Sequence, residues 1–155
     1  MVKSFKLNYL DKAHRKYKRK YTPTMEDYIE IIYELIENKG YVRPIEISKL
    51  LHVKSATVTS MLKKLHDNKL VIYEKYRGAI LSNDGKELAK LIVSKHKILV
   101  EFLELVTTNK LEAHTNAEKI EHYLEYSAVN KINLITKLIK EDKDIYKKFQ
   151  KIIGR

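Results

Sequence analysis

The scarcity of glycine and proline is the feature that most constrains the fold, because the 155 residues contain only four Gly and two Pro. All-β architectures need turn residues at short, regular intervals, which this chain cannot supply. We therefore predict a mainly α-helical protein. No Cys occurs, so disulfides, thiolate metal sites and cysteine nucleophiles are excluded. No apolar run reaches the roughly 18 residues of a membrane span, and no secretory signal opens the chain, so we expect a cytoplasmic protein without a membrane partner.

The charge is large and unevenly distributed. There are 31 Lys and Arg against 20 Asp and Glu, a net charge of +11, which favours an anionic partner such as nucleic acid. Residues 1–20 alone carry eight basic groups and one acidic group, whereas residues 21–38 carry five acidic groups and no basic one. Residues 1–20 are predicted to be a basic N-terminal arm, which could be merely solvated or could contact phosphates.

The first half of the chain has the pattern of a winged helix-turn-helix. A helix is predicted over residues 24–38, with Thr24 as N-cap and Gly40 just after its end. Two short helices follow, over residues 45–52 and 55–68, the second with Ser55 as N-cap. Residues 52–54 form the tight turn between them, and two β-prone runs within residues 70–82 flank a basic tip, which indicates a hairpin.

The second half is predicted to be entirely helical. A long apolar periodicity runs from about residue 84 to 106, and small and polar residues break it over residues 107–116. Further helices are predicted over residues 116–126, with Asn116 as N-cap, and over residues 127–140 and 142–153. The chain is thus predicted to divide into the arm, a winged-helix domain over residues 21–82 and a helical domain over residues 83–155.

The second helix of a helix-turn-helix presents its N-terminal residues to base edges in the major groove. The alternative is that this segment is only a surface helix with a basic face. Agreement between helix spacing, turn, hairpin and charge favours double-stranded DNA as the partner. The predicted DNA contacts are the short polar and basic side chains of this helix and of the hairpin tip: Lys54, Ser55, Ala56, Thr57, Thr59, Ser60, Lys63, Lys64, Lys75, Tyr76 and Arg77.

A second group of side chains has the composition of a metal site. Two carboxylates share one face of the first helix, three donors share one turn of a later helix, and a histidine lies on the long helix between them. Carboxylates with a little imidazole suit Mn(II) or Fe(II), and six such donors could hold one or two ions. The alternatives are a solvated acidic face and a satisfied core histidine. The six residues are Asp27, Glu30, His96, Glu118, Glu121 and His122.

These motifs resemble the diphtheria toxin repressor family of metal-dependent transcriptional regulators, and most closely its short, manganese-responsive branch. The resemblance covers residues 22–140. It rests on the stretches TPTMEDYIEIIYELIENKGYVR, the helix-turn-helix, IYEKYRG with LSNDGK, LIVSKHKILVEFL and EKIEHYLEY. It implies a repressor of metal-ion uptake genes and a homodimer that reads a palindromic operator. It also implies that residues 83–155 bind metal and mediate dimerisation, with Mn(II) most strongly indicated and Fe(II) as the alternative.

The resemblance carries the family's ligands onto the six residues named above. The iron-responsive branch has Met where this chain has Asp27 and Cys where it has Glu118, so two hard oxygen donors here favour manganese. The sequence departs from the family pattern in three places. Val100 stands where family members often have an acidic group, His114 stands where the iron branch has a histidine of its ancillary site, and the basic arm has no family counterpart.

Two other functions compete with a metal-dependent repressor. The chain could be a winged-helix regulator that does not sense metal, in which case the carboxylates are structural. It could also be a carboxylate-bridged metalloenzyme, but such helical bundles need a second Glu-x-x-His helix, which this sequence lacks. The sequence therefore predicts neither an enzyme nor a small organic substrate.

Overall fold

The structure is a computed structural model and describes residues 16–17, 21–107 and 109–154. The predicted mainly helical class is confirmed, and most of the basic arm lies outside the described residues. In these residues, no helix combines the length and apolar composition needed to cross a membrane. The elements are, in chain order, α1 (Pro23–Lys39), α2 (Pro44–Leu51), α3 (Ser55–Asp67), β1 (Val71–Glu74), β2 (Gly78–Leu81), α4 (Asn83–Val106), α5 (Lys110–Glu121), α6 (Tyr126–Glu141) and α7 (Lys143–Ile152).

The described residues form two compact units, which we treat separately. The first unit contains residues 21–93, and the second contains residues 94–154 together with Lys16 and Tyr17. The boundary between them therefore falls within α4 and not at either of its ends.

Helix α1 begins one residue earlier than predicted. Thr22 and not Thr24 is the N-cap, and its hydroxyl accepts a hydrogen bond from the backbone N–H of Met25 at 3.3 Å. Pro23 explains the correction, because a residue without an N–H fits the first helical position and moves the cap to the residue before it. The predicted end is confirmed, since Gly40 has a φ of 76° there.

The predicted helix-turn-helix is confirmed. Helix α2 ends at Leu51 and is capped by His52, which adopts the left-handed conformation with a φ of 53° and donates its N–H to the carbonyl of Ser48. Ser55 is not the N-cap of α3, because Lys54 holds that position. The Ser55 hydroxyl instead donates to the Ser48 hydroxyl at 3.2 Å. This contact joins the two helices across the turn.

The predicted hairpin is confirmed as the antiparallel pair β1–β2, with Val71 opposite Leu81 and Glu74 opposite Gly78. We call this hairpin the wing. Val42, which follows α1, forms an isolated antiparallel bridge with Ala79 of β2. The N–H of Val42 donates to the carbonyl of Ala79 at 2.9 Å, and the N–H of Ala79 donates to the carbonyl of Val42 at 2.8 Å. The bridge attaches the wing to the segment that leads into the helix-turn-helix.

The second unit corrects the prediction for residues 107–116. Helix α5 begins at Lys110, and its N-cap is Asn109, whose side chain accepts from the N–H of Leu111 at 2.9 Å. Asn116 lies inside the helix. The small residues that suggested a break are instead used for packing, because Ala113 and Ala117 are completely buried. Helices α6 and α7 match their predicted ranges to within one residue at each end.

Candidate metal centre and nucleic-acid interface

The inward face of α5 carries a carboxylate that pairs with a histidine of α4. Ala113, Ala117 and Glu121 follow one another at four-residue spacing, and all three are buried, Glu121 with 6% exposure. A buried carboxylate needs a partner. The imidazole of His96 supplies it, since its Nδ1 lies 2.8 Å from Oε2 of Glu121. A carboxylate only accepts hydrogen bonds, so Nδ1 carries the hydrogen in this contact.

His122 completes the group of donors that the second unit brings together. Its Nε2 lies 3.7 Å from Oε1 of Glu121, and its side chain is 16% exposed. Two of the six predicted ligands, His96 and His122, thus lie beside the carboxylate of a third, Glu121. Glu118 lies one turn before Glu121 on the exposed side of α5.

The surroundings of His96 reflect two of the departures noted in the sequence. The His114 ring lies 5.9 Å from the His96 ring, tilted by 42°. Val100 is buried and packs with Leu99, Ala117 and Val129 in the apolar core of the unit. The position where relatives often have an acid is therefore part of that core, and His96 has a second imidazole near it in addition to the Glu121 carboxylate.

The other two predicted ligands belong to the first unit. Asp27 and Glu30 are both half-buried on α1, one turn apart, while Tyr28 and Ile29 between them are buried. Burial raises the pKa of the Tyr28 hydroxyl above its ordinary value of 10.0, so this side chain stays neutral near pH 7. Among the described residues, no three His, Asp or Glu side chains converge closely enough to hold an ion. The donor types nevertheless fit a hard or borderline divalent ion.

Helix α3, the second helix of the helix-turn-helix and therefore its recognition helix, exposes most of the predicted DNA contacts to solvent. Val58, Leu62 and Leu65 are completely buried and fix one face of α3 against the unit. The opposite face is short and polar at its start and basic further along. On α3 and at its N-cap, Thr59 is half-buried and the other predicted DNA contacts are exposed: Lys54, Ser55, Ala56, Thr57, Ser60, Lys63 and Lys64.

The wing tip adds three exposed groups, and one of them has an acidic neighbour. Tyr76 is 89% exposed, and the Lys75 ammonium lies 5.5 Å from its ring centroid. A guanidinium nitrogen of Arg77 lies 3.4 Å from a carboxylate oxygen of Glu74, and both side chains are largely exposed. An ion pair this exposed contributes little stability, so Arg77 can exchange it for a phosphate at small cost.

Sequence reasoning missed two residues that support these sites. His66, near the end of α3, places Nδ1 at 3.2 Å from the Val71 carbonyl oxygen and 3.3 Å from the Tyr73 nitrogen, and so joins the recognition helix to the wing. Lys95, next to His96, is 6% exposed, and its ammonium lies 4.9 Å from the ring centroid of Tyr126. The only sequence signal for Lys95 is its helical spacing from Leu88 and Leu91, a pattern that ordinarily identifies apolar residues.

The comparisons with known proteins match both halves of the chain, with a boundary just before α4. The N-terminal DNA binding domain of the iron dependent repressors matches residues 20–79, and their metal binding and dimerisation domain matches residues 82–150. The HTH-type transcriptional regulator MntR of Oceanobacillus iheyensis is 41% identical over 132 residues, which is 85% of this chain and 90% of that protein. MntR of Bacillus subtilis is also 41% identical, over 86% of this chain and 94% of that protein.

A solved structure extends the likeness to three dimensions. The structure of the manganese regulator SloR has a TM-score of 0.63 and 31% identity, covering 74% of this chain and 54% of that chain. This chain therefore spans about half the length of that protein, but nearly the whole length of the MntR relatives. The resemblance to the manganese transport regulator branch is confirmed, and the chain belongs to the iron dependent repressor family, the diphtheria toxin repressor family of metal-dependent transcriptional regulators.

Proposed function

We propose that this protein is a Mn(II)-dependent transcriptional repressor that binds a palindromic operator as a homodimer and controls metal-ion uptake genes in the cytoplasm. The observation that carries the proposal is the contact between His96 and Glu121 in the unit that matches the family's metal binding and dimerisation domain. It joins an imidazole to a buried carboxylate beside His122, and this combination of donors suits Mn(II).

The ligand set is proposed as six residues. His96, Glu121 and His122 are supported by their mutual contacts. Glu118 is supported by its place one turn before Glu121, while Asp27 and Glu30 are supported by the family resemblance and by their shared face on α1. A bound divalent ion would neutralise these carboxylates. The Nδ1–H of His96 already donates to Glu121, which orients this imidazole and leaves Nε2 as its second nitrogen.

The two predicted domains would have separate functions. We propose residues 21–82 as the DNA-binding domain and residues 83–155 as the metal-binding and dimerisation domain. In the first, the short polar side chains of α3 would read base edges, and Lys63, Lys64 and the wing tip would contact phosphates. Metal would raise operator affinity because it binds the DNA-competent arrangement of the protein more tightly than the others.

The proposal is tested by fluorescence-anisotropy titration of a duplex that carries a candidate palindrome from the protein's own promoter region. Titrations at one fixed salt concentration compare chelator, Mn(II), anaerobic Fe(II), Zn(II) and Mg(II). We expect strong stimulation by Mn(II) and little by Mg(II). Binding that ignores both chelator and metal would contradict the proposal and favour a winged-helix regulator that does not sense metal.

The same assay tests the ligand assignment with a matched pair of variants. Glu121→Gln removes the buried charge but keeps the side-chain volume, and we expect it to abolish most of the Mn(II) stimulation without unfolding the protein. Glu112→Gln makes the same change at an exposed position of the same helix and should behave like the wild type. Full Mn(II) stimulation in the folded Glu121→Gln variant would show that this carboxylate is not a ligand.

A further inference from the structure

The contact between His66 and the first strand of the wing is a feature of the DNA-binding domain that the proposed function leaves unused. His66 lies in the last turn of α3, and its imidazole Nδ1 is 3.2 Å from the carbonyl oxygen of Val71 and 3.3 Å from the nitrogen of Tyr73. All three residues belong to the first unit. The end of the recognition helix therefore meets the wing through a side chain as well as through the connecting backbone.

The register of the wing explains why these two backbone groups are available to His66. Tyr73 lies opposite Ala79, and Ala79 uses its own N–H and C=O for the bridge to Val42. Such a pair exchanges no hydrogen bonds across the ladder, so Tyr73 turns its N–H away from β2, and Val71, two residues earlier, turns its C=O to the same side. Within the described part of the chain this sheet has two strands, so that side of β1 is an edge. His66 thus bonds where a third strand would bond.

A single imidazole nitrogen can serve either backbone group, but only one of them at a time. Without a hydrogen, Nδ1 of His66 accepts from the N–H of Tyr73, and with a hydrogen it donates to the carbonyl of Val71. Either form of the ring leaves one hydrogen bond between α3 and β1. The attachment therefore does not depend on which ring nitrogen carries the hydrogen.

The wing is consequently attached along both of its edges. Val42 bonds to the edge of β2, and His66 bonds to the edge of β1. Residues 68–70 are the whole backbone connection between α3 and β1, and Tyr73 lies only two residues before Lys75 of the wing tip. Attachment at both edges leaves the wing little freedom to change its angle to α3.

We infer that His66 is a positioning residue for DNA binding, which holds the wing against the recognition helix so that Lys75 and Arg77 contact phosphates of the same site that α3 reads. This inference rests on the proposed function, because it takes DNA as the partner of α3 and the wing. With its β1 edge free, the wing would lose conformational freedom on binding DNA. That entropic cost would reduce the gain from its phosphate contacts. His66 thus acts through the wing and not through a DNA contact of its own.

Amide hydrogen exchange in the free full-length protein, followed by NMR, tests the contact without DNA or metal. In His66→Ala we expect the Tyr73 amide to exchange about two- to tenfold faster than in the wild type, which corresponds to the loss of one net hydrogen bond. The Ile72 amide, which pairs with Ile80 inside the hairpin, should keep its rate. An unchanged Tyr73 rate in His66→Ala would overturn the inference.

His66→Asn is the matched variant, because its side-chain amide can accept or donate at the same bond separation from the backbone as Nδ1. It should restore most of the protection of the Tyr73 amide. Both variants should fold, since His66 is exposed and Ala is favoured in helices. Neither variant removes a Lys or Arg, so the number of groups that can contact phosphates stays the same.

A double-mutant cycle tests whether the contact acts through the wing. The wing-tip variant combines Lys75→Gln and Arg77→Gln, and its affinity for one operator duplex is measured with and without His66→Ala, at one salt concentration with Mn(II). We expect His66→Ala alone to weaken operator binding about two- to tenfold. The wing-tip substitutions should then reduce affinity by a factor about twofold smaller, or less, than in the wild type, because the freed wing already contributes less.

Lys54→Gln is the control for this cycle, because it removes one positive charge at the N-cap of α3, at the opposite end of the helix from His66. Its effect on affinity should be equal in both backgrounds. A wing-tip effect that is also equal in both backgrounds would overturn the inference. An His66→Asn variant that binds the operator as weakly as His66→Ala would overturn it as well.

The ratio of operator affinities with Mn(II) and with chelator separates this inference from the proposed function. Equal affinities of the wild type under the two conditions would contradict the proposed metal dependence, while the cycle would still report on His66. An additive cycle in a protein that Mn(II) stimulates would overturn only the inference about His66.

Discussion

Gly85, in the first turn of α4, is a position where the fold leaves no room for a side chain. Its N–H donates to the Ser82 hydroxyl at 3.0 Å, and a Cβ on Gly85 would overlap the carbonyl oxygen of Leu70. We predict that Gly85→Ala lowers the free energy of unfolding by about 1–3 kcal/mol, because backbone has to move to accept the methyl group. Urea denaturation followed by circular dichroism measures this change.

The neighbouring Lys86→Ala substitution is the control for Gly85. Lys86 is exposed in the same helical turn, and its replacement should change the free energy of unfolding by less than about 0.5 kcal/mol. Equal stability of Gly85→Ala and Lys86→Ala would show that the approach of α4 to Leu70 is looser than the structure describes.

Spacing predicted which residue types could share a site, but burial decided which of them meet. Glu118 and Glu121 are one helical turn apart, so sequence spacing alone makes them equally good candidate ligands. Only Glu121 lies on the buried face of α5 with Ala113 and Ala117 and contacts His96. Lys95 could not be predicted because its ammonium lies against the ring of Tyr126, 31 residues later in the chain. Sequence periodicity carries no information about such a long-range partner.

At the scale of elements, α5 shows why the helix-turn-helix was predictable and the second half less so. Helices α2 and α3 have strong amphipathic patterns and a tight turn, so their types followed from local sequence. Helix α5 has an inward face of Ala113 and Ala117, which bury little apolar surface and resemble a loop when read alone. Ala117 nevertheless packs with Leu99 and Val129 in the core of the unit, and this packing outweighs the weak local pattern.

The true start of α5 is testable with its two candidate N-caps. We predict that Asn109→Ala destabilises the protein by about 1 kcal/mol, since its side chain satisfies the N–H of Leu111 at the helix terminus. Asn116→Ala should cause no comparable loss, because Asn116 is inside the helix, where Ala is favoured. Both values come from the same urea denaturation experiment, and a larger loss for Asn116→Ala would place the helix start at the later asparagine.

For the whole molecule, metal binding and folding stability have to be linked. An ion that binds only the folded protein stabilises it by about 2.7 kcal/mol when its free concentration is 100 times its dissociation constant. We therefore predict that Mn(II) raises the melting temperature by roughly 5–10 °C. Differential scanning calorimetry with Mn(II), Mg(II) and chelator measures the shift.

The variant Glu121→Gln provides the control for this stabilisation. It should melt at a temperature that Mn(II) changes little, while Glu112→Gln should retain the wild-type shift. A Mn(II)-induced shift that is equally large in Glu121→Gln and in the wild type would mean that manganese stabilises the protein from another site.

The place of the unit boundary inside α4 limits how genes of this family can exchange parts. Leu88, Ala89 and Leu91 lie after the wing in the chain, yet they are buried in the first unit, which extends to residue 93. A recombination joint directly after the wing would take the first unit's core from one parent gene and the α4 side chains that complete this core from the other. Recombination between relatives would therefore preserve both cores best when the joint falls near residues 93 and 94, in the middle of a helix, and not in the loop before it.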